Sequence, residues 1–316
     1  MKLAFLFPGQ GAQSVGMGRA LAEAHPAARE TFAAADRVLG YPLSALCWNG
    51  PADELKKSVH TQPALLTHSV AALRLIEAAG LSPVFVAGHS LGEYSACVAA
   101  GALSFDDALR LTSRRGELMY QAGLERPGAM AAVLGLPAAS VEAACAEVVA
   151  SGVVRAANLN APGQVVISGE VAAVDAACTA ARARGAKRAI RLEVSGAFHS
   201  PLMASAAAGL AEALAQVKLA DARCPVVCNA WARPVQRAGE IREALEAQLL
   251  ASVRWEESMN ALLAAGVEGF VELGTGKVLR GLLRTIRADA ASWNVDDPES
   301  LQATLAALGA AAGRSG

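Results

Sequence analysis

Short segments that are apolar on both faces alternate along the chain with longer alanine-rich segments of helical periodicity. Short apolar runs without a polar face are typical of strands that helices cover on both sides. On this pattern we predict strands at residues 3–7, 84–87, 226–229 and 269–273.

Two of the predicted helices are delimited by start and stop signals. Pro63 suits a first turn and Gly80 is a typical stop, so one helix is predicted from residue 63 to about residue 79. Ser104, followed by two aspartates, predicts the start of a second helix that runs to about residue 121. Strands that alternate with helices in this way predict an α/β fold with a mainly parallel sheet.

A different order of elements is predicted between residues 128 and 195. Strands at 129–134, 153–158, 164–168 and 189–194 and helices at 137–149 and 171–184 give the order β-α-β-β-α-β. This order is that of the ferredoxin-like unit. We therefore predict a large hydrolase-like α/β domain formed by 1–127 and 196–316, into which a small ferredoxin-like α+β domain, 128–195, is inserted.

The strongest chemical signal is the segment Gly-His-Ser-Leu-Gly at 88–92, which matches the nucleophile pattern G-x-S-x-G. It follows a predicted strand and precedes a helical stretch, which is the context that the pattern requires. The glycines permit a sharp turn that exposes the serine, and the helix N-terminus then offers N–H groups to a developing oxyanion. The segment predicts Ser90 as a nucleophile.

A serine nucleophile needs a base, and the chain has five histidines. His89 adjoins Ser90, so the tight turn directs its side chain elsewhere, and His25, His60 and His68 lie in amphipathic or loop contexts. His199 follows the last strand of the insert in a loop of small residues, C-terminal to the serine, as in hydrolase-like folds. Elimination favours His199 as the base.

Composition excludes several classes of protein. Of the 316 residues, 53% are hydrophobic and 18% charged, and the net charge of -1 argues against a nucleic-acid-binding protein. The six cysteines form no C-x-x-C pair, which argues against a zinc site and fits a reducing, cytoplasmic setting. The apolar N-terminus is too short for a signal sequence, and no segment approaches the length of a membrane span.

Two glycine-rich segments resemble phosphate-binding loops only partly. Ser14 stands where G-x-G-x-x-G after Gly9 needs its third glycine, and Val271 and Val278 break a Walker pattern around Lys277. Basic residues cluster at 182–191 and 277–287. Such clusters are usually solvated faces, and the alternative is a docking surface for coenzyme A phosphates or an acidic carrier protein.

The segment Gly-His-Ser-Leu-Gly-Glu-Tyr-Ser at 88–95 resembles the nucleophile motif of malonyl-CoA:acyl carrier protein transacylases. Phe-Pro-Gly-Gln-Gly-Ala-Gln at 7–13 resembles their N-terminal signature, and further matches lie at 61–64, 160–164, 196–199 and 272–279. They occur in the family's order and span nearly the whole chain. The resemblance implies transfer of a malonyl group from malonyl-CoA to an acyl carrier protein of fatty acid synthesis, without a metal or other cofactor.

The resemblance also implies a role for individual residues. Ser90 and His199 would be catalytic, and the backbone N–H groups of Gln10 and Leu91 would form the oxyanion hole. Arg115 would hold the malonyl carboxylate, and the remaining implied residues are Phe198 and Asn160 for substrate binding and Gln248, whose carbonyl orients the histidine. A guanidinium can grip a carboxylate with two hydrogen bonds, although an arginine on a helix, such as its neighbour Arg114, is usually solvated.

Three alternatives stay open at this point. A serine esterase would use the same turn, but it has no need for Arg115 and normally places an acidic residue between Ser90 and His199. A carrier-binding scaffold would not retain both Ser90 and His199. The third alternative is a stand-alone malonyl acyltransferase of a polyketide synthase, which sequence alone does not separate from a fatty acid enzyme.

Overall fold

The computed structural model describes residues 1–312. The strands in this part of the chain are β1 (Leu3–Phe7), β2 (Phe85–Gly88), β3 (Gly128–Leu134), β4 (Val154–Ala161), β5 (Gln164–Glu170), β6 (Arg188–Arg191), β7 (Val226–Val227), β8 (Pro234–Val235), β9 (Gly269–Leu273) and β10 (Ala291–Val295). The first helices are α1 (Arg19–Ala24), α2 (Pro26–Leu39), α3 (Leu43–Asn49), α4 (Ala52–Leu55), α5 (Ser58–Ala78), α6 (Gly92–Ala99) and α7 (Phe105–Glu125). The later helices are α8 (Ala138–Glu147), α9 (Val171–Ala183), α10 (Ala204–Ala215), α11 (Ala238–Gln248), α12 (Trp255–Ala264), α13 (Val278–Ile286) and α14 (Pro298–Ala312).

The larger sheet has the strand order β10-β9-β1-β2-β7-β8. Its strands are parallel except β8, which runs antiparallel to β7. The register places Phe7 at the end of β1 beside Gly88 at the end of β2. This register brings the segments after β1 and β2 to one edge of the sheet. In parallel sheets, ligands bind at this edge, outside the carboxyl ends of the strands.

Strand β1 shows why this sheet is stable. Successive side chains of a strand point to opposite faces, and all five residues of β1 are buried. Phe5 and Phe7 pack in one hydrophobic cluster, and Ala4 and Leu6 pack in another, on the opposite face. Burial of each aromatic side chain contributes about 1.5–3 kcal/mol, so apolar residues are needed on both faces of a covered sheet.

The smaller sheet has the order β4-β5-β3-β6, with antiparallel pairing throughout. Helices α8 and α9 pack on it and share its own hydrophobic cluster. Its strands all lie within 128–195, which supports the inserted domain as a proposal. β4 also meets the larger unit, since the Val253 N–H donates to the Ala157 carbonyl at 2.8 Å. The α/β class with a mainly parallel sheet is confirmed.

Helix α5 departs from the sequence prediction. It begins at Ser58, five residues before the predicted start at residue 63, so Pro63 lies inside the helix. A proline there removes one backbone hydrogen bond and costs about 3 kcal/mol relative to alanine. The first turns are nevertheless held, because Thr61 Oγ1 donates to the Leu55 carbonyl and Ser58 and Gln62 are buried. Tertiary burial therefore outweighs local preference.

Two strands have no counterpart among the predicted elements. β8 is two residues long, and β10 lies at an edge, where Ala291, Ser292 and Trp293 are not buried. An edge strand that is only partly buried lacks the apolar pattern by which the buried strands were predicted.

Candidate active site

The nucleophile turn joins β2 to α6. Ser90 at its apex has φ = 50°, in the left-handed region that is unfavourable for residues other than glycine. A Cβ atom on Gly88 would lie 1.9 Å from the Gly92 carbonyl carbon, and one on Gly92 would lie 2.1 Å from the Phe7 carbonyl oxygen. The two glycines of the motif are therefore required by close backbone approach, and they let the serine project from the end of the sheet.

His199 lies against the serine. Its Nε2 is 2.8 Å from Ser90 Oγ, and its Nδ1 donates to the Gln248 carbonyl at 3.0 Å. Because a carbonyl only accepts, Nδ1 carries the proton and Nε2 is free to accept the serine proton. Burial, aided by the positive charge of Arg115, lowers the pKa of His199 to about 3. The imidazole is therefore neutral at neutral pH, as a general base must be.

The guanidinium of Arg115 lies on the other side of the serine. Nη2 donates to Ser90 Oγ at 3.1 Å and to Gln248 Oε1 at 2.9 Å, while Nη1 donates to Gln62 Oε1 at 2.8 Å. Arg115 is 1% exposed, and no carboxylate in residues 1–312 lies within 4 Å of it. A buried cation without an ion pair favours an anionic ligand. Arg114, by contrast, is exposed and pairs with Glu117.

A cavity of about 330 Å³ opens beside these three side chains. The segment after β1 forms one wall with Gly9 and Gln10, β4 and β5 form a second with Asn160 and Val166, and α13 forms a third with Leu282. Phe198, next to the histidine, also lines the cavity and is 6% exposed. The volume suits a small acyl group and the arm that carries it, since ligand pockets usually start at about 300 Å³.

The match to known proteins agrees with this geometry. The family model for the acyl transferase domain matches residues 4–295. This chain belongs to the acyl transferase family. It is 48% identical over 308 residues to a malonyl CoA-acyl carrier protein transacylase of Bacillus subtilis strain 168, and the match covers 97% of each chain. The family resemblance predicted from the motifs is confirmed.

Solved structures show the same fold. A crystal structure of an acyl carrier protein S-malonyltransferase from Vibrio cholerae is 44% identical, with a TM-score of 0.93 over 96% of this chain and 100% of that chain. A malonyl-transacylase in complex with its type II polyketide-synthase acyl carrier protein is 45% identical, with a TM-score of 0.94 over 96% of this chain and 99% of the other.

The residues proposed for the oxyanion hole of this acyl transferase lie at two chain segments around the serine. Gln10 follows β1 and lines the cavity, and Leu91 follows Ser90 at the start of α6. Within residues 1–312, neither backbone N–H donates to another protein group. Both are therefore available to an oxygen atom of a substrate, and their role in binding an oxyanion is a proposal.

Asn160 and His89 contact each other across the two sheets. Asn160 Oδ1 lies 2.8 Å from His89 Nε2, so the oxygen is already engaged and the amide nitrogen remains for a ligand. The His89 ring packs beside Trp255 at 5.5 Å between centroids. As the sequence indicates, the turn directs this histidine away from the catalytic position, although it still borders the cavity.

Three further polar residues of the site have no role assigned from sequence. Gln62 holds Arg115, Asn229 holds the Ser90 backbone, and Glu93 accepts a hydrogen bond from Gln248. Each is at most 1% exposed. For two of them the sequence contains a weak indication. Gln62 is a polar residue in a helix segment otherwise rich in apolar residues, and Glu93 lies inside the nucleophile motif.

The basic clusters differ in how many of their charges are neutralised. In the first, Arg184 pairs with Glu147 and Arg191 with Asp175. In the second, Arg280 donates to Asn294 Oδ1 at 2.5 Å, while Lys277, Arg284 and Arg287 are exposed. The second cluster lies along α13, which borders the cavity, and it remains a candidate docking surface for an acidic partner.

Neither a membrane span nor a metal cluster is found in the described part of this acyl transferase. No helix there is long and apolar enough to cross a bilayer. No group of three or more His, Cys, Asp or Glu side chains is arranged to hold a metal ion.

Proposed function

We propose that this protein transfers the malonyl group of malonyl-CoA to the phosphopantetheine thiol of an acyl carrier protein, through an ester on Ser90. The observation that carries the proposal is the position of Ser90 Oγ, 2.8 Å from His199 Nε2 and 3.1 Å from Arg115 Nη2. A base activates the hydroxyl, and a buried guanidinium beside it selects an acyl group that ends in a carboxylate.

The first half-reaction forms the serine ester. His199 Nε2 takes the Ser90 proton as Oγ attacks the thioester carbonyl, and the Gln10 and Leu91 N–H groups stabilise the resulting oxyanion. The tetrahedral intermediate then expels the coenzyme A thiolate, which receives the proton from His199. The Arg115 guanidinium holds the free malonyl carboxylate throughout.

The second half-reaction reverses these steps with a different thiol. His199 takes the proton of the carrier protein's phosphopantetheine thiol, and the thiolate attacks the Ser90 ester carbonyl. Collapse of the intermediate returns the proton to Ser90 Oγ and leaves malonyl on the carrier. Malonyl-CoA and acyl carrier protein are therefore the two partners, and this chemistry supplies the extender unit of fatty acid synthesis.

The contacts of His199 favour transfer over hydrolysis. In a serine esterase an acidic residue normally holds the histidine, whereas here Nδ1 donates to the Gln248 backbone carbonyl. The buried Arg115 has no purpose in an esterase that accepts uncharged acyl groups. A carrier-binding scaffold does not explain an aligned serine and histidine.

Service to a polyketide synthase is the second candidate function. It is favoured by one observation, the similarity to a malonyl-transacylase solved with a type II polyketide-synthase carrier protein. The chemistry is the same in both pathways. We also propose a reducing, cytoplasmic setting, since all six cysteines are free.

Intact mass spectrometry tests the proposal directly. After brief mixing with malonyl-CoA, the protein should gain one malonyl group, which peptide mapping places on Ser90, and Ser90→Ala should gain none. Addition of a phosphopantetheinylated carrier protein should remove the label much faster than water does. A label on a cysteine, or release to water alone, would contradict the transferase mechanism. Comparing fatty-acid and polyketide carriers in the release step distinguishes the two pathways.

A further inference from the structure

Glu93 is a buried carboxylate at the edge of the active site. It lies in the first turn of α6 and is 1% exposed. Its Oε2 accepts hydrogen bonds from Gln248 Nε2 at 2.7 Å and from the Asn229 N–H at 3.1 Å. No basic side chain of the described residues lies within 4 Å of it. A buried carboxylate without an ion pair is costly for stability, and a well-packed apolar residue would usually be more stable there.

Gln248 connects Glu93 to three residues of the proposed mechanism, Ser90, Arg115 and His199. Its Nε2 also donates to the Ser90 carbonyl at 2.9 Å, and its Oε1 accepts from Arg115 Nη2 at 2.9 Å. Its backbone carbonyl accepts from His199 Nδ1 at 3.0 Å. One glutamine thus contacts the nucleophile, the base and the guanidinium.

The orientation of the Gln248 carboxamide depends on Glu93. The two ends of a primary amide have nearly the same shape, so the hydrogen-bond partners decide which end is the oxygen. When ionised, the Glu93 carboxylate only accepts, so it requires the NH₂ group of Gln248 on its side, and Gln248 Oε1 then faces Arg115. A flipped amide would place its NH₂ group against the guanidinium, and two donors would face each other.

Asn229 carries a second connection from Glu93 to the nucleophile. While its backbone N–H donates to Glu93, its side-chain Oδ1 accepts from the Ser90 N–H at 2.6 Å and its Nδ2 donates to the Gly88 carbonyl at 2.7 Å. These bonds hold the backbone of Ser90 in its left-handed conformation, whose cost must be met by surrounding contacts.

We propose that Glu93 is a positioning residue of the transfer reaction: its buried carboxylate orients the Gln248 carboxamide, and thereby Arg115 and Ser90, for attack on the malonyl thioester. Glu93 touches neither substrate nor the reacting atoms. It acts through Gln248, and this inference rests on the proposed function.

Glu272 provides a matched control within the same chain. It is also buried, at 0% exposed, and its two oxygens accept from the Leu279 and Arg280 N–H groups at the start of α13. Among residues 1–312, it bonds to no side-chain amide. Removal of either carboxylate should lower stability, but only Glu93 is connected to Gln248.

A double-mutant cycle tests the proposal. Wild type, Glu93→Ala, Gln248→Ala and the double variant are mixed with malonyl-CoA, and rapid quench with intact mass gives the rate constant and the fraction labelled. Gln248→Ala keeps the backbone carbonyl that binds His199. We expect Glu93→Ala to slow malonylation by about tenfold or more in the wild-type background and far less in the Gln248→Ala background, because coupled residues are not additive.

Three further measurements separate positioning from a general loss of structure. Glu93→Gln retains a carbonyl oxygen that can accept both hydrogen bonds, so it should recover most of the rate lost in Glu93→Ala. Glu93→Ala should also lower the preference for malonyl over acetyl groups, since Arg115 loses its oriented partner. Glu272→Ala should lower the melting temperature, and its effect on the rate should be independent of Gln248→Ala.

The outcomes distinguish the inference from the function on which it rests. Wild type that gains no malonyl group on Ser90 would refute the proposed function itself. Wild type that is labelled normally, together with a Glu93→Ala effect equally large in both backgrounds, would refute the role of Glu93 alone. A Glu93→Ala protein in which fewer molecules are labelled, but at the wild-type rate and preference, would also overturn it.

Discussion

Arg115 Nη2 lies 3.1 Å from Ser90 Oγ, although the two residues belong to different segments and are separated by 25 positions in the chain. The nucleophile and the cation are thus close enough to contact one molecule at the same time. A malonyl thioester has its reactive carbonyl and its free carboxylate separated by a single carbon. The distance between the two side chains therefore supports the proposal that Ser90 is the nucleophile and that Arg115 binds the malonyl carboxylate.

Replacement of Arg115 should lower malonyl transfer far more than acetyl transfer. Loss of a desolvated charged hydrogen-bond pair costs on the order of 2–5 kcal/mol. An acetyl group has no carboxylate and therefore forms no such pair with Arg115. We therefore expect Arg115→Ala to reduce kcat/KM for malonyl-CoA far more than for acetyl-CoA. Arg114→Ala is the control, because Arg114 is exposed and pairs only with Glu117. Equal losses for both acyl groups in Arg115→Ala would argue that the residue is merely structural.

Phe198 should exclude branched acyl groups. Phe198 is 6% exposed and lines the cavity next to His199. We expect its ring to fill the space that a branching methyl would need. Discrimination by one methyl is about 1–3 kcal/mol where contacts are merely missing, and a clash can exceed this. We expect wild type to favour malonyl-CoA over methylmalonyl-CoA and Phe198→Ser to narrow the ratio of the two kcat/KM values.

The size of residue 198 offers a graded control. Phe198→Leu should give an intermediate ratio, provided that its melting temperature stays near that of wild type. If the ratio is unchanged in a well-folded Phe198→Ser protein, the ring only packs the junction between the two sheets.

The pH dependence of malonylation should lack the ionisation of an ordinary histidine. Because the pKa of His199 is lowered to about 3, the base stays neutral, and the malonylation rate should not fall across the usual histidine range near pH 6.5. Burial raises the pKa of Glu93 to about 7, so the same profile should be measured in Glu93→Gln, which cannot titrate there. A fall in the malonylation rate centred near pH 6.5 in both wild type and Glu93→Gln would contradict the lowered pKa of His199.

The lowered pKa of His199 also predicts how the stability of the protein varies with pH. Between about pH 3 and 6.5, the unfolded chain binds a proton at residue 199 that the folded chain does not. The contribution of His199 to stability is therefore complete above pH 6.5 and is lost as the pH falls toward 3. Urea unfolding should show this. The unfolding free energy of wild type minus that of His199→Gln should decrease from pH 7 to pH 5, because only wild type titrates at this position.

The glycines of the nucleophile turn should tolerate no side chain. A Cβ atom on Gly92 would overlap the backbone of Phe7, and backbone atoms cannot move aside without disrupting β1. We expect Gly92→Ala to cost more than about 4 kcal/mol in unfolding free energy, in the exceptional range for one substitution. Gly281→Ala is the matched control, because Gly281 lies in α13 and a Cβ atom there would meet nothing within 4 Å beyond its chain neighbours and its own helix backbone. Alanine should therefore stabilise the helix by about 0.5–1 kcal/mol. Similar unfolding curves for both variants would contradict this account.

Local sequence signals predicted much of the framework. The bounds of β1 and β9 agree with prediction, and α7 begins after Ser104, whose side chain accepts from the Asp107 N–H at 3.1 Å. These elements are encoded by short apolar runs and capping residues, which act over a few positions. α5 was predicted with the wrong start, because burial of its first turns overrides the effect of Pro63.

The functional site, like the fold, could be predicted from sequence where its structure depends on near neighbours in the chain. The glycines and Ser90 were evident from sequence because the nucleophile turn is a local structure, so tight that a Cβ atom on Gly88 would lie 1.9 Å from the Gly92 backbone. The pairing of Ser90 with His199 could be suggested only by elimination among the histidines and by the family resemblance, because 109 positions separate them and no local pattern encodes their contact.

What only the tertiary structure decided is which buried polar groups meet around the serine. Gln62, Asn229 and Gln248 come from different segments, and the side chain of each forms its hydrogen bonds with partners far away in the chain. The sequence by itself determined the turn, the nucleophile and the alternation of strands and helices, because those depend on sterics and hydrophobic periodicity between near neighbours. The orientation of a buried amide or guanidinium depends on every donor and acceptor around it, so it is set only when the whole chain has folded.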